Sequence, residues 1–473
     1  MLKNYFKVAI RSLRKNKLYS FINIAGLTLG IASCILIGLY IHDEINYDRF
    51  HANGERIVRA TMEYSSAGTV NQVATTGTKV GPQLKRVFPA IEEFTRTYKA
   101  TRVVSYEGKQ FEEKNVLYAD SSFLKVFSFP LLQGSTATAL NNIGKVVITS
   151  DIAKKYFGSE EAIGKTLQIG NNAIFEVTGV AAAVPGNSQI QFDFLASFNN
   201  LDVSKSEEWF TANYITYFLL HDKDHLAMVQ QQVNAYMLTD VKKELNFEGG
   251  DYLIYNLQRF TEVHLHSSLE GFEPNGNITY LYILGIIALL ILAIACVNYT
   301  NLAIAQFSGR SGEIGIRKVM GAIRSQLFAQ FIGESIFLSV IALMLAVVVS
   351  IQLLPVSNAI TGKHFSAGIL FQPITISMIV LLGLLIGLMA GAYPALILSN
   401  TGIIKILKSG FSFSTSGGTV KKSLIVFQFV ISIFLITSTI IILQQLSFIR
   451  NKNLGYDKTR IVVVPVDGKM RGE

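Results

Sequence analysis

Three stretches of this chain carry residue types that could do chemistry. The first, "GSEEAIGKT" at 158–166, sets Lys165 and Thr166 behind glycines as a phosphate-binding loop does. That loop needs four residues between its first glycine and the Gly-Lys-Thr, because the backbone must curl around the phosphates. Gly158 and Gly164 have five between them, so nucleotide binding is excluded here. The second, "EVHLH" at 262–266, would set Glu262, His264 and His266 on one side of a strand as three metal ligands. An isolated His-x-His is as readily polar surface, and no metal site is expected. The sequence holds no H-E-x-x-H, G-x-S-x-G or spaced carboxylate pair, so no catalytic residues are assigned. The third, "GRSGEIGIRKVMGAIRSQL" at 309–327, places Glu313, Arg317, Lys318 and Arg324 between two long apolar runs. Charges in that position need a reason.

The surrounding elements are those of a membrane protein. Half of the 473 residues are hydrophobic and 16% are charged, against roughly 25% in soluble domains. Five charge-free windows are long enough to cross a bilayer: 18–41, 278–307, 335–355, 373–398 and 423–449. The first exceeds a signal-peptide core and has no small-residue cleavage site after it, so it reads as an uncleaved anchor. Lys3, Lys7, Arg11, Arg14, Lys15 and Lys17 precede it, and Lys405, Lys408, Lys421 and Lys422 precede the fifth, with no acid among either group. The excess of cations in short loops puts the N-terminus in the cytoplasm and residues 42–277 outside. Leu2, Phe6, Ala9 and Leu13 share a helical face opposite the first basic residues, which suits a helix lying on an anionic leaflet. The net charge of +9 does not signal nucleic acid, because 28 of the 33 acidic residues fall between positions 42 and 278 and leave the membrane loops basic. Cys34 and Cys296 both lie in apolar runs, so no disulfide framework is expected.

Small residues recur every four positions at Gly26, Gly30, Cys34 and Gly38 in the first span and at Gly383, Gly387 and Gly391 in the fourth. That spacing lets helix backbones approach closely. No Asp, Glu, Lys or Arg falls inside the five windows, so the usual mark of an ion path is missing. Asn298 and Asn301 are expected to bridge helices. The outer region mixes patterns: "GPQLKRVFPAIEEF" has helical periodicity, while "SQIQFDFLASF", "TYFLL" and "KVVIT" read as strands. The expected architecture is a helical membrane bundle carrying a large mixed α/β extracytoplasmic domain. Its parts are 1–42, an amphipathic helix and first span; 43–277, the outer domain; 278–409, three spans; and 410–473, a fifth span.

Between the second and third spans, Ile316, Val319, Met320, Ile323 and Leu327 keep helical spacing, and Glu313 and Arg317 form an i,i+4 pair. Gly315 and Gly321 each cost about 1 kcal/mol relative to Ala in a helix interior. Gly321 is expected to break the helix in two, and Gly315 to let another surface come close. Tyr-Asp-basic followed by a β-like run occurs twice, in "YDRFHANGERIVRA" and "GYDKTRIVVV", which suggests a repeated unit that begins again near the end.

These residues resemble the FtsX-like, MacB-type family of ABC transporter permeases. The family's loop core is matched by Glu313, Ile314, Gly315, Ile316, Arg317, Lys318, Gly321 and Ala322. "RSLRKNKLYSFINIAGLTLGIA", "YFG…IGK" and "GAYPALILS" extend the likeness along most of the chain. The chain lacks an ATPase domain of its own and has five spans where the family unit has four. It is therefore most similar to stand-alone permeases of two such units, reaching just past their midpoint. The resemblance implies a bacterial inner-membrane, multi-pass subunit. A separate cytoplasmic ABC ATPase would dock on the helix from Glu313 to Ala322 and carry the ATP and magnesium, with no cofactor in this chain. Nucleotide-driven closure would move the outer domain by mechanotransmission for efflux or release of a substrate. A periplasmic or outer-membrane partner is compatible with this, and nucleic acid is not expected. The alternative is a sensor whose outer domain binds a ligand, such as an antimicrobial peptide, and signals through the cytoplasmic loops.

Overall fold

A computed structural model describes residues 17–170, 173–247, 250–308, 311–400 and 415–452. The expected N-terminal amphipathic helix, the lysines at 405 and 408 and the second Tyr-Asp repeat lie outside the described residues. The described chain forms two compact units: His42–Thr279, and the residues before and after that segment.

The second of these consists of helices. Lys17–Ile45, Ile278–Ser308, Arg324–Thr361, Pro373–Asn400 and Thr415–Asn451 each contain a stretch long and apolar enough to cross a membrane. Leu27, Ile31, Tyr299, Phe331, Ala342 and Ile386 are among the residues of a core shared by the first four. The helix of the third span starts well before the charge-free window. Residues 324–334 carry Arg324 and Glu334, yet Leu327, Gln330, Phe331 and Glu334 are buried on one helical face, so packing continues the helix where hydropathy does not. Over Lys422–Asn451 most large apolar side chains are exposed, Leu424, Ile425 and Leu435 are half-buried and Ile431 is buried, as expected of a helix whose solvent is lipid.

His42–Thr279 is mixed α/β. Its strands are β1 (Ile57–Ser66), β2 (Thr69–Val73), β3 (Ile91–Tyr106), β4 (Lys109–Ala119), β5 (Leu131–Gly134) and β6 (Lys145–Thr149). β7 (Thr166–Ile169), β8 (Ala173–Ala181), β9 (Phe194–Ser197), β10 (Ile215–Leu220) and β11 (Tyr252–Arg259) complete the set. They run in the order β11-β1-β10-β3-β4-β9-β6-β8-β5, with β2 on β1. β7 pairs with both β3 and β8, so β3, β4, β9, β6, β8 and β7 close into a ring. Val104, Val116, Ile148, Leu167, Val177 and Phe194, one from each strand, belong to the core this ring encloses. Glu107 and Gly108, both at positive φ, make the two-residue turn of the long β3–β4 hairpin. The helices Val80–Val87 and Leu226–Tyr236 pack Val80, Leu84, Val229 and Val233 against the β11-β1-β10 end of the sheet.

Two expectations change. In "SQIQFDFLASF" only Phe194–Ser197 is strand, and all four residues are buried. The alternation before it belongs to a loop in which Gln189 and Gln191 bond to backbone carbonyls at Glu273, Pro185 and Ser188. "EVHLH" is not a strand but the end of the short helix Phe260–His266, which disperses the three supposed ligands. Glu262 and His266 are exposed, while His264 is buried with Nε2 2.8 Å from Glu44 Oε2 and its ring stacked on Tyr47. Gly158 and Gly164, at φ +63° and +78°, are turn residues flanking the "EEAI" segment.

Candidate functional site

The stretch at 311–324 folds as a short helix, a tight stop and the start of a long helix. Ser311–Val319 is helical. Ala322 N–H donates to Arg317 O (3.0 Å) and Gly321 N–H to Lys318 O (3.2 Å). This is the Schellman pattern, which needs a left-handed residue after the helix, and Gly321 supplies it with φ +94°. Ile323 is then extended, and its N–H donates to the Gln326 carboxamide at 3.4 Å at the head of Arg324–Thr361. The expected break at Gly321 is thus built by two backbone hydrogen bonds.

Two faces of the short helix differ in character. Gly315 is buried. Arg317 Nη1 donates to Gln330 Oε1 at 2.7 Å, and Gln330 Nε2 donates to Glu334 Oε1 at 3.0 Å. Gln330 and Glu334 are both buried, so this bond of Arg317 runs inward along the long helix. The outward surface is apolar: Ile316, Val319, Met320 and Ile323 are 64%, 61%, 83% and 58% exposed. Lys318 stands beside this face, its pKa lowered by burial and by Arg324. Ala322 is half-buried, and the side chains of Glu313 and Ile314 lie outside the described residues.

Behind the short helix, the glycine stripes set how closely the apolar helices meet. A Cβ on Gly391 would lie 2.6 Å from Ser335 Cβ, on Gly387 3.0 Å from Ile336 Cα, and on Gly383 2.8 Å from Leu343 Cδ2. The fourth helix therefore rests its glycines on the third. On the first helix, a Cβ on Gly30 would lie 2.9 Å from Ala295 Cβ and one on Gly26 3.3 Å from Asn298 Nδ2, whereas Gly38 meets nothing within 4 Å among the described residues. Hydroxyls that sequence reading passed over tie the same helices together. Tyr299 donates to Ser335 Oγ (2.9 Å), Thr300 to Ala390 O (3.1 Å), Ser339 to Gly383 O (2.6 Å) and Thr28 to Ala342 O (3.3 Å). Asn301, expected to bridge, has a buried Oδ1 without a partner among the described residues. The only available signal for Gln330 and Glu334 was two polar residues four apart at the mouth of an apolar run.

The described residues thus form a helical unit, whose short helix exposes an apolar face, and an α/β unit. Comparison with known sequences agrees. Residues 20–236 match the MacB-like periplasmic core domain and residues 285–403 the FtsX-like permease C-terminal domain. The chain belongs to the MacB/FtsX family of ABC transporter permeases, and it is a membrane protein with an extracytoplasmic domain.

Among its relatives, the macrolide export ATP-binding/permease protein MacB of Wolinella succinogenes is 23% identical over 358 residues, 73% of this chain and 52% of that one. The ABC transporter permease YvrN of Bacillus subtilis is 22% identical over 416 residues, 83% of this chain and 96% of that one. The chain thus spans about half the length of the MacB protein and nearly all of YvrN. The crystal structure of the periplasmic region of MacB from Actinobacillus actinomycetemcomitans is 17% identical, covering 42% of this chain and 89% of that one with a TM-score of 0.29.

Proposed function

We propose that the chain is the membrane subunit of an ABC-type complex in which a separate cytoplasmic ATPase docks on the helix Ser311–Val319. The observation that carries this reading is the shape of that helix. It has an outward apolar face of Ile316, Val319, Met320 and Ile323, and an inward polar brace from Arg317 through Gln330 to Glu334. An apolar patch between basic residues, on the side that the charge of the short loops assigns to the cytoplasm, suits a protein partner. ATP and magnesium would sit on that partner, and the bacterial inner membrane would hold the complex.

The brace then gives the mechanism. A push on the short helix passes through Arg317–Gln330–Glu334 into the third helix. Glycine contacts at 383, 387 and 391 leave little slack between the third and fourth helices. The motion would drive the extracytoplasmic domain to expel or release a substrate already outside the membrane. The name of the MacB relative, an export ATP-binding/permease protein, supports efflux as the class of process.

The test is co-purification of an ATP-hydrolysing subunit with the detergent-extracted full-length protein. Met320→Glu and Ile316→Glu, both at exposed positions, should remove that subunit and its ATPase activity while leaving the melting temperature unchanged. Retention of the subunit by both variants would show that it docks elsewhere.

A further inference from the structure

The extracytoplasmic unit holds a cation that none of its described residues neutralises. Arg59 on β1 is 0% exposed. Its Nη2 donates to Gln258 Oε1 (2.9 Å), Ser267 Oγ (2.9 Å) and Leu269 O (3.1 Å), all uncharged acceptors. Its Nε and Nη1 are buried with no acceptor among the described residues. Among the described residues no carboxylate lies within ion-pair distance of it, and the nearby Glu273 is committed to Lys99. Burial lowers the Arg59 pKa, but a guanidinium keeps its proton at any working pH, so the charge stays. A buried, unpaired charge costs several kcal/mol, which an anion can offset. A water molecule satisfies an N–H group but does not supply the missing charge.

The guanidinium borders a crevice. β1 pairs Arg59 with Tyr217 of β10, and Thr97 and Lys99 of β3 continue the same wall. Gln189 and Gly271 close it from two loops, and its atom-free space of about 310 Å³ includes the open solvent at its mouth. Its enclosed end has room for little more than one water, which suits the planar end of a carboxylate better than a tetrahedral phosphate. Gly271 keeps that end open: a Cβ there would lie 3.5 Å from Arg59 Nη1 and 2.9 Å from Ile215 Cδ1.

We infer that this crevice is a binding site for a carboxylate, a small organic acid or the carboxylate end of a larger ligand, with Arg59 as its counter-ion. Thr97 and Tyr217 line the approach, and the Lys99–Glu273 pair stands at the rim. Recognition rests on charge and on the space that Gly271 leaves, and it is independent of where an ATPase docks.

The experiment uses the full-length chain in detergent at pH 7.5, with sodium acetate as probe against sodium chloride at equal ionic strength. Unfolding is followed by the fluorescence of Trp209, which is buried in this unit. Acetate at ten times its dissociation constant should raise the melting temperature by roughly 2–5 °C. Equimolar phosphate should do less. Arg59→Gln should abolish the acetate response. Gly271→Asp places a tethered carboxylate beside Nη1, its Cβ meeting the flexible end of Ile215. It should melt above the wild type in chloride and ignore acetate, and it decides the matter if Arg59→Gln does not fold. A wild type indifferent to acetate, or a Gly271→Asp variant that responds as the wild type does, would overturn the assignment.

Discussion

Acidification should expose two buried groups of opposite effect just after the first span. Asp48 accepts from Ser188 Oγ at 2.8 Å and from Gln189 N–H at 2.9 Å, yet loss of water outweighs these bonds and raises its pKa from 3.8 to about 7. His51 sits among the rings of Phe50, Phe127, Phe129 and Phe260. Its Nδ1 accepts from Ser128 N–H at 3.1 Å, its Nε2 has no partner among the described residues, and burial lowers its pKa from 6.5 to about 4. Between about pH 4 and 6.5 the unfolded chain carries ionised Asp48 and protonated His51, whereas the folded chain carries both neutral. The folded state therefore binds one proton more at Asp48, and stability from that group falls by about 1.4 kcal/mol per unit as pH rises. It binds one proton fewer at His51, which contributes an equal rise. The two slopes cancel in the wild type.

Asp48→Asn removes the first slope alone, and asparagine tolerates the φ of +58° at this position. Relative to the wild type, D48N should lose about 3 kcal/mol between pH 6.5 and 4, or roughly 6–12 °C in melting temperature for a unit of this size. His51→Asn keeps an acceptor for Ser128 and should do the reverse, losing stability as pH rises over the same range. The single tryptophan, Trp209, confines the fluorescence signal to this unit in the solubilised full-length chain. Any constant cost of either substitution drops out, because the slope is compared. Wild-type and D48N curves that stay parallel from pH 6.5 to 4 would refute the reasoning.

The glycine stripe of the fourth helix should respond unequally along its length. Gly391→Ala drives a methyl into Ser335, whose Oγ is fixed by Tyr299 and Phe331, and should cost about 1–3 kcal/mol in denaturant titrations of the solubilised chain followed by circular dichroism. Gly383→Ala meets only the flexible end of Leu343 and should stay within about 1 kcal/mol of the wild type; equal losses would mean the close approach at Ser335 is not what constrains the pair. At Gly321 no atom of the described residues lies within 4 Å of an added Cβ, so Gly321→Ala should cost only the left-handed backbone, about 1–2 kcal/mol. It should weaken ATPase co-purification, with Gly321→Asn milder; an alanine variant that retains the subunit fully would show that the turn does not orient the docking face.

Spans and helix breaks were legible because each depends on local composition. A run of twenty apolar residues needs no tertiary information to demand a helix in lipid, and Gly321 reads as a stop wherever helical periodicity surrounds it. Direction was harder. The spacing of Ile316, Val319, Met320 and Ile323 shows a common face, but a short amphipathic helix beside a membrane can turn that face either way. The inward turn of Arg317 depends on Gln330, which lies thirteen residues away across the Gly321 stop. Hydropathy also cut the third span short at 335, because the buried Gln330 and Glu334 count against a window even when they satisfy each other.

The crevice at Arg59 was illegible for a more general reason. Its walls come from β1, β3, β10 and two loops, with sequence positions from 59 to 273, and no local pattern brings them together. Nothing in the text around Arg59 distinguishes it from the exposed, well-paired Lys223 or Lys165. What singles it out is a deficit: a guanidinium sealed from water whose partners are all uncharged. Deficits of that kind belong to the folded environment and not to the residue. The same holds for Asp48 and His51, two ordinary titratable residues in "NYDRFH" that burial displaces in opposite directions. In this protein local sequence sets the membrane scaffold, and long-range packing sets the electrostatics of the outer unit, so ligand recognition there has to be sought among its unbalanced charges.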